Sequence, residues 1–400
     1  MILEKLFELM AEKNASDIFI SAGIPIHIKI QGNTVPVNQQ LMDPPMIEKV
    51  AYELLTPAQA KVFDETMEMN LSIGVPNVGN YRINLFRQRS SIAIVVRFIT
   101  SNIPTLSSLN LPPILTELAM ERRGLVLVVG ATGSGKTTTL ASMIDHRNTH
   151  RSGHILTVED PIEFLFKHKK SIVNQRELGM DTLGWAPALK SAMRQAPDCI
   201  LIGEIRDLET MQSAIAYAQT GHLCLATLHA NNSYHALNRA INFFPLESRA
   251  GLFLDLSVSL KAIISQRLVT QPNGQRRPAT EVLLNARHVQ ELIERGEVLS
   301  IKEAMEQSLA PGSQTFEQDL FRLYREEIIT LDEALSNADS PTNLSWLINN
   351  SQITASNIQS INPEISLDFA ETDSSGTSFK EFSLNMTSSS GSGEKGNNDH

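Results

Sequence analysis

The sequence predicts an α/β protein in which a small α+β domain precedes a larger, doubly wound domain built on a parallel sheet. Its 400 residues exceed what a single hydrophobic core usually serves. A connector rich in proline and serine interrupts the chain after residue 98. Beyond the connector, apolar runs without period-two alternation each precede a helical segment, which is typical of parallel strands buried on both faces.

Residues 1–98 form the predicted first domain. Apolar residues from Ile2 to Met10 recur at helical spacing, so the domain opens with an amphipathic helix. The segments DIFISAG and PIHIKIQG are predicted as short strands, and YRINLFRQ and SIAIVVRFI as the two strands of a hairpin. The stretch from Pro44 to Glu65 between them is predicted to be helical.

The second domain is predicted over residues 114–340, after the connector at residues 99–113. Its parallel strands are predicted at LVLVV, HILTVE, CILIG and HLCLAT. Further helices are predicted at Leu252–Ile264, Arg287–Arg295, Ser300–Gln307 and Gln314–Tyr324.

Residues 341–400 are predicted to be a polar tail. Serine, asparagine, threonine and glycine dominate this segment, which ends SSSGSGEKGNNDH. Such a composition buries too little apolar surface to offset the entropy lost on ordering. We therefore expect the tail to be largely disordered from about residue 370 onward.

The charge balance and the cysteines exclude several classes of protein. The formal net charge is −10, so the basic excess that binding to a phosphate backbone requires is lacking and no nucleic-acid partner is expected. Cys199 and Cys224 lie inside apolar runs, which indicates two buried thiols and no disulfide framework or zinc site. Because the amino terminus has no signal-peptide core and no stretch reaches the ~18 apolar residues of a membrane span, a cytoplasmic protein is expected.

A phosphate-binding loop is predicted between an apolar strand and a helical run. GATGSGKT, which begins at Gly130, satisfies the pattern G-x-x-x-x-G-K-[ST]. Backbone N–H groups of such a loop point at phosphate oxygens, the Lys136 ammonium would reach the β- and γ-phosphates, and the Thr137 hydroxyl would ligate Mg²⁺. The residues predicted to bind ATP are Gly130, Thr132, Gly133, Ser134, Gly135, Lys136, Thr137 and Thr138.

Two acidic residues are candidates for the hydrolytic chemistry. Glu204 ends the apolar run DCILIGE, in the place of a Walker B acid that orients or deprotonates water. Glu163 follows another apolar strand in VEDPIE, where Pro161 would turn the chain back toward the metal and the γ-phosphate. The alternatives are a surface glutamate at position 204 and solvated acids in the second segment.

Two histidines bracket the strand HLCLATLH. His222 precedes the strand and His229 follows it, at the carboxyl end where ligands bind in parallel sheets. Histidines at this spacing, without a flanking carboxylate, make a poor metal site. A role in sensing the γ-phosphate is the hypothesis for His229, and ordinary core hydrogen bonding is the alternative.

Four ordered segments give the chain a family resemblance. GATGSGKTT, VEDPIEF, DCILIGEIRD and TGHLCLATLHANN resemble the Walker A, Asp box, Walker B and His box of the secretion-superfamily ATPases, in the branch of the type IV pilus retraction ATPases PilT and PilU. The resemblance extends over residues 1–350. It implies a hexameric ring at the cytoplasmic base of a pilus, in which each subunit pairs a PAS-like amino-terminal domain with a RecA-like ATPase domain.

The resemblance also implies roles for particular residues. The Walker A residues are Lys136 and Thr137, the Asp-box glutamate near the metal is Glu163, and the catalytic glutamate is Glu204. The His-box histidines are His222 and His229. Family members supply arginines from the amino-terminal hairpin to a nucleotide site, and the candidates here are Arg82, Arg87, Arg89 and Arg97.

The sequence departs from the family pattern in two segments. Where PilT proteins carry an AIRNLIRE-like helix, this chain reads ARHVQELIERGE, so independent retraction is not implied. DSPTNLSWLIN and the polar tail resemble the PilU group instead, which implies an accessory motor that acts with a PilT-like ATPase on an inner-membrane platform protein. The four-cysteine zinc insert of the extension ATPases is missing from the sequence. A non-catalytic modulator of PilT, a P-loop phosphotransferase and a DNA translocase are the alternatives.

Overall fold

The computed structural model describes residues 2–76, 78–307 and 310–350. These residues form a six-stranded sheet followed by a seven-stranded sheet, both with flanking helices, which confirms the predicted α/β class.

The bounds of the elements are as follows. The helices are α1 (Ile2–Lys13), α2 (Pro44–Leu54), α3 (Pro57–Thr66), α4 (Ile114–Met120), α5 (Lys136–His150), α6 (Trp185–Ala192), α7 (Leu208–Gln219), α8 (Ser233–Asn242), α9 (Arg249–Ser259), α10 (Arg287–Arg295), α11 (Ile301–Glu306), α12 (Phe316–Arg325), α13 (Leu331–Asn337) and α14 (341–350). The strands are β1 (Asp17–Ile20), β2 (His27–Ile30), β3 (Asn33–Pro36), β4 (Glu68–Val75), β5 (Gly79–Gln88), β6 (Ser91–Ile99), β7 (Gly124–Val129), β8 (Gly153–Glu159), β9 (Ser171–Glu177), β10 (Cys199–Ile202), β11 (Leu223–Leu228), β12 (Leu260–Thr270) and β13 (Arg276–Leu284).

The first sheet is antiparallel throughout and has the order β3-β2-β1-β6-β5-β4. Strands β1 and β2 and the β5–β6 hairpin lie where the alternation of apolar residues predicts them. The helix α1 packs on this sheet, where the ring of Phe7 stacks on that of Tyr81 at 4.2 Å between centroids. The predicted helix from Pro44 to Glu65 is interrupted, because Leu55 is extended and Thr56 starts α3 with a capping box.

The second sheet has the order β13-β12-β7-β11-β10-β8-β9. Strands β7, β8, β10 and β11 correspond to the four predicted apolar runs, and they pair in parallel as expected. Apolar side chains are buried on both faces: Leu125, Leu127 and Val129 face one hydrophobic cluster, while Val126 and Val128 face another. The carboxyl ends of the parallel strands therefore meet at one edge, between two buried layers.

The prediction of a helix through Ile264 is wrong at its carboxyl end. Helix α9 ends at Ser259, and residues 260–270 form β12, which pairs in parallel with β7. Residues Ile263 and Ile264 are fully buried against the central sheet. Pairing with the strand before the phosphate loop outweighs the helical pattern, because β-branched residues pack well on a pleated surface.

Ordered structure continues beyond residue 340, where the polar tail is predicted to begin. Helix α14 buries Leu344 and Ile348 in a cluster with Phe316 and Leu320 of α12. Disorder from about residue 370, expected from the tail's composition, concerns a segment outside the described residues. The division of the chain into domains at residues 99–113 stays a prediction.

Both cysteines are buried free thiols, as the sequence predicts. Burial raises the pKa of the Cys199 thiol to about 11, and it raises that of Cys224 as well. None of the helices within residues 2–76, 78–307 and 310–350 combines the length and apolar character that a membrane crossing requires.

Candidate active site

The phosphate loop runs from the end of β7 at Val129 to the start of α5 at Lys136. Gly135 caps the helix with a φ of 90°, a left-handed conformation that favours glycine. An added Cβ there would lie 2.7 Å from Nε2 of Gln266, and one at Gly130 would lie 2.5 Å from the carbonyl oxygen of Gln266. The loop is therefore seated tightly against β12.

Gln266 is a buried residue that sequence reasoning missed. Its Oε1 accepts a hydrogen bond from Oγ1 of Thr139, in the first turn of α5, at 2.7 Å. The signal available in the sequence was a glutamine inside the apolar run LKAIISQRLV, since a buried amide needs partners. The described partner of the Gln266 side chain is Thr139, in the helix that follows the phosphate loop.

Lys136 and Ser134 give the loop its electrostatic character. The Lys136 ammonium is buried and donates to the carbonyl oxygens of Gly130 and Ala131, at 3.0 and 2.8 Å. Burial lowers the pKa of this ammonium, and the nearby carboxylates Glu204 and Glu163 oppose the shift. The Ser134 hydroxyl is buried without a hydrogen-bond partner among the described residues. A buried cation beside an unsatisfied hydroxyl fits an anionic, oxygen-rich ligand.

A cavity of about 240 Å³ opens beside the loop, at the carboxyl ends of β7, β8, β10 and β11. We call it the nucleotide pocket. It brings together residues from all four sequence motifs, which are Lys136, Thr137, Glu163, Glu204 and His229. Thr132 and Gly133 of the loop also line it.

Glu204 lies at the centre of a polar network in this pocket. Its Oε1 is 3.1 Å from Nε2 of His229, and its Oε2 accepts from Nε of Arg206 at 2.6 Å. This hydrogen bond raises the pKa of Arg206, whose guanidinium also lies 3.4 Å from Asp160. The alternative of an isolated surface glutamate does not fit, and Arg206 is a residue that the motif GEIRD contained but sequence reasoning did not use.

Glu159 also lines the pocket, and the sequence pattern did not single it out. It ends β8 and is 5% exposed, and its Oε1 accepts from Oγ1 of Thr157 at 2.6 Å and from Nε2 of Gln175 at 3.0 Å. Burial raises the pKa of this carboxyl to about 7, although both hydrogen bonds oppose the shift. The sequence pattern favours Glu163 in the same segment, and the structure places both glutamates at the pocket.

His222 lies away from the nucleotide pocket in this chain. It precedes the six-residue strand β11, whereas His229 follows it, and a separation of seven extended positions places the two roughly 23 Å apart. Its Nδ1 is 3.2 Å from the Tyr217 carbonyl oxygen and 3.1 Å from the Thr220 hydroxyl. The described contacts of His222 are thus local, and its predicted part in catalysis stays a prediction.

The four candidate arginines do not line the nucleotide pocket of their own chain. Three of them bind carboxylates: Arg82 binds Glu177 at 2.8 Å, Arg87 binds Asp64 at 3.3 Å, and Arg97 binds Asp17 at 2.8 Å. Arg89 lies in the turn between β5 and β6, where it is exposed.

Known proteins resemble this chain over most of its length. A family model described as type II/IV secretion system protein matches residues 1–291. The type IV pilus ATPase PilU of Pseudomonas aeruginosa is 45% identical over 382 residues, which cover 95% of this chain and 100% of that protein. The type IV pilus retraction ATPase PilT of the same organism is 38% identical over 343 residues, covering 86% of this chain and 100% of the relative.

Solved structures agree with the sequence relatives. The crystal structure of the pilus retraction motor PilT with bound ADP has a TM-score of 0.79 and 39% identity, and the match covers 85% of this chain and 98% of that one. The ATPase DotB of Legionella pneumophila has a TM-score of 0.72 and 27% identity, covering 82% of this chain and 93% of that one. These likenesses confirm the predicted fold of a P-loop ATPase domain preceded by a small α+β domain. The chain therefore belongs to the type II/IV secretion ATPase family, in its group of PilT- and PilU-like type IV pilus ATPases.

Proposed function

We propose that this chain is an ATPase motor that powers or assists type IV pilus retraction, as a PilU-like accessory to a PilT-like ATPase. One observation carries the enzymatic part: the nucleotide pocket joins Lys136 of the phosphate loop to Glu204, which is already bound to His229 and Arg206. The proposed role in pilus retraction is supported by the similarity to PilU and PilT of Pseudomonas aeruginosa. The match covers the full length of each of these two relatives.

In the proposed site the phosphate loop binds the phosphates of ATP. Loop N–H groups and the Ser134 hydroxyl would satisfy phosphate oxygens, and the Lys136 ammonium would pair with the β- and γ-phosphates. Thr137 and Glu163 are the residues that would hold Mg²⁺, which supplies positive charge to the phosphates when bound. Magnesium takes few protein ligands and several from phosphate and water, so a hydroxyl and one carboxylate suit it.

Glu204 is proposed as the residue that orients and deprotonates the attacking water. It is exposed on 19% of its side chain and faces the pocket at the end of β10. The contacts from His229 and Arg206 fix its two oxygens, so the carboxylate is held in one orientation. His229 touches both Glu204 and the pocket, which supports its proposed sensing of the γ-phosphate.

We further propose that the chain assembles as a homo-hexamer on an inner-membrane platform protein, at the cytoplasmic base of the pilus. Arg82, Arg87 and Arg97 are bound to carboxylates of their own chain, whereas Arg89 lies exposed at the tip of the hairpin. Arg89 is therefore the candidate that a ring arrangement would bring to a neighbour's nucleotide. An exposed guanidinium is suited to a phosphate because it keeps its donors available.

Two substitutions test the ATPase proposal. Lys136→Ala should abolish nucleotide binding, because the buried ammonium that pairs with phosphate is lost. Glu204→Gln should bind nucleotide but hydrolyse it about 100-fold or more slowly, since general-base catalysis contributes factors of this size. Binding of a fluorescent nucleotide and release of inorganic phosphate separate the two effects.

Glu209→Gln is the matched control, because Glu209 is an exposed glutamate in the first turn of α7. It should leave both measurements unchanged. Phosphate release by the wild-type protein that is no faster than that of Lys136→Ala contradicts the ATPase proposal. Full rescue of retraction force by Glu204→Gln in cells lacking this gene would favour the non-catalytic modulator instead.

A further inference from the structure

The loop that carries Glu163 lies between the nucleotide pocket and the first sheet. We define the Asp-box loop as residues 160–166. Its members Asp160, Glu163 and Phe164 line the nucleotide pocket. Ile162 and Leu165 line a second cavity, of about 150 Å³, together with Ile73 and Tyr81 of the first sheet. Pro161 and Phe166 also line the nucleotide pocket, so the loop divides its residues between the two cavities and a movement of one cavity wall displaces the other.

Among the hydrogen bonds that fix the loop, two join it to the end of β6 and to Glu177, neither of which lines the nucleotide pocket. The Ile162 N–H donates to Oε2 of Glu177 at 3.1 Å, and the Leu165 N–H donates to the Thr100 carbonyl oxygen at 3.0 Å. Thr100 directly follows β6 of the first sheet. Both bonds hold residues adjacent to pocket residues, since Ile162 precedes Glu163 and Leu165 follows Phe164.

Glu177 connects this loop to an arginine of the first sheet. Its Oε1 accepts from the guanidinium of Arg82, on β5, at 2.8 Å. The Glu177 side chain is 3% exposed and that of Arg82 is 20% exposed. A carboxylate this deeply buried needs its donors, because an uncompensated buried charge is strongly destabilising. The Arg82–Glu177 pair therefore differs from an exposed ion pair, which contributes little to folding stability.

We propose that Glu177 is a positioning residue that holds the Asp-box loop and Arg82 together, so that the position of the first sheet determines where Glu163 lies in the nucleotide pocket. This inference rests on the proposed ATPase function of that pocket. Glu177 itself does not line the pocket, so it acts through Ile162. Movement of β5 that withdraws Arg82 removes one of the two donors of Glu177 and loosens the anchor of the loop.

Arg82→Gln and Glu177→Gln in the full chain test this proposal by two measurements. Hydrogen exchange of peptides spanning residues 160–166 should be about tenfold faster in both variants, because a charge-assisted hydrogen bond that anchors the loop is weakened. Glu177→Gln should also lower kcat about fivefold or more while the dissociation constant for nucleotide changes less than about twofold.

Glu317→Gln is the matched control. Glu317 is also 3% exposed, and its carboxylate also accepts from a cation, Lys302, and from a backbone N–H, that of Ser340. It should leave the exchange of residues 160–166 unchanged. The proposal is overturned if Arg82→Gln exchanges like the wild type in this loop, or if Glu317→Gln accelerates it equally. Hydrogen exchange is measured without ATP turnover. It therefore tests the positioning role of Glu177 separately from the proposed ATPase activity.

Discussion

Glu159 is a carboxyl group held inside the protein at the edge of the nucleotide pocket. Burial raises its pKa to about 7 from an ordinary 4.5, because the ionised form loses its hydration. A carboxyl with such a pKa changes its charge near neutral pH. The electrostatic field at Glu163 therefore changes near neutral pH, because Glu163 is one of the carboxylates that interact with Glu159.

The pH dependence of stability follows from this shift. The folded state binds the proton of Glu159 more tightly than the unfolded state, so the wild type loses stability as pH rises from 4.5 to about 7. At 1.36 kcal/mol per pKa unit the loss approaches ~3 kcal/mol. The glutamine of Glu159→Gln does not titrate. The free energy of unfolding of this variant minus that of the wild type should therefore be larger at about pH 8 than at about pH 5, so the variant is relatively more stable at the higher pH.

Urea unfolding of both proteins at these two pH values measures the difference. A difference in free energy of unfolding that is independent of pH would show that the carboxyl does not titrate in this interval. The expected sign is specific, because a carboxylate stabilised by a cation would produce the opposite trend.

The residues found from the sequence share one property. Glu204 and His229 stand within two residues of the end of an apolar strand, and Lys136 belongs to a loop motif that directly follows one, so their position at the sheet edge follows from local pattern alone. Gln266 and Glu177 could not be found this way. Gln266 meets Thr139 across 127 positions of sequence, and Glu177 meets Arg82 across 95, so both contacts depend on which strands become neighbours.

At the scale of elements, the phosphate loop depends on β12 as a support. Gly135→Ala would place a methyl group 2.7 Å from the Gln266 amide and would strain a left-handed backbone. We expect nucleotide affinity to fall at least about tenfold, because the loop must shift before phosphate can bind. Titration with a fluorescent nucleotide measures the loss.

Gly274→Ala is the control for backbone strain alone. Gly274 has a similar φ, +80°, in the turn between β12 and β13, and its added Cβ meets no atom within 4 Å. This variant should lose roughly 1 kcal/mol of stability and keep its nucleotide affinity. Equal affinities for the Gly135 and Gly274 variants would contradict the role given to Gln266.

Strand β12 also shows why the helix predicted at Leu252–Ile264 was placed too far along the chain. The stretch from Leu252 onward carries apolar residues at helical spacing with no glycine or proline before Pro272, so nothing local separates α9 from β12. The boundary is set by pairing with β7, a partner more than 100 residues earlier in the chain. Strands β7, β8, β10 and β11 were predictable because each is short, mostly apolar and bounded by polar or glycine residues.

At the scale of the whole molecule, α14 extends the folded core beyond the predicted boundary. Leu344→Ala should lower the free energy of unfolding by about 2–5 kcal/mol, because Leu344 is fully buried against α12. Trp346→Ala on the same helix should change it by less than about 0.5 kcal/mol, because 64% of Trp346 is exposed. Denaturant unfolding of both variants makes the comparison, and equal effects would show that α14 does not belong to the core.

The Asp-box loop lies between the first sheet and the nucleotide pocket, and we propose that it couples them. Ile162 and Leu165 line a cavity together with residues of the first sheet, and their neighbours line the nucleotide pocket. A protein that converts ATP hydrolysis into movement needs such a connection, because a ligand shifts only those equilibria whose states it binds differently. The connector at residues 99–113 was predicted from composition, whereas this second connection required the tertiary structure.

The burial of Cys199 and Cys224 has a practical consequence for measuring such movement. Their thiols are fully enclosed and hold their protons far above neutral pH, so labelling reagents that attack thiolates should pass over both. The full sequence contains two cysteines in total. A cysteine introduced at the exposed hairpin tip and another near the nucleotide pocket would therefore carry a fluorophore pair in an otherwise native chain. Distances between the first sheet and the nucleotide pocket can then be followed during turnover without substituting Cys199 and Cys224.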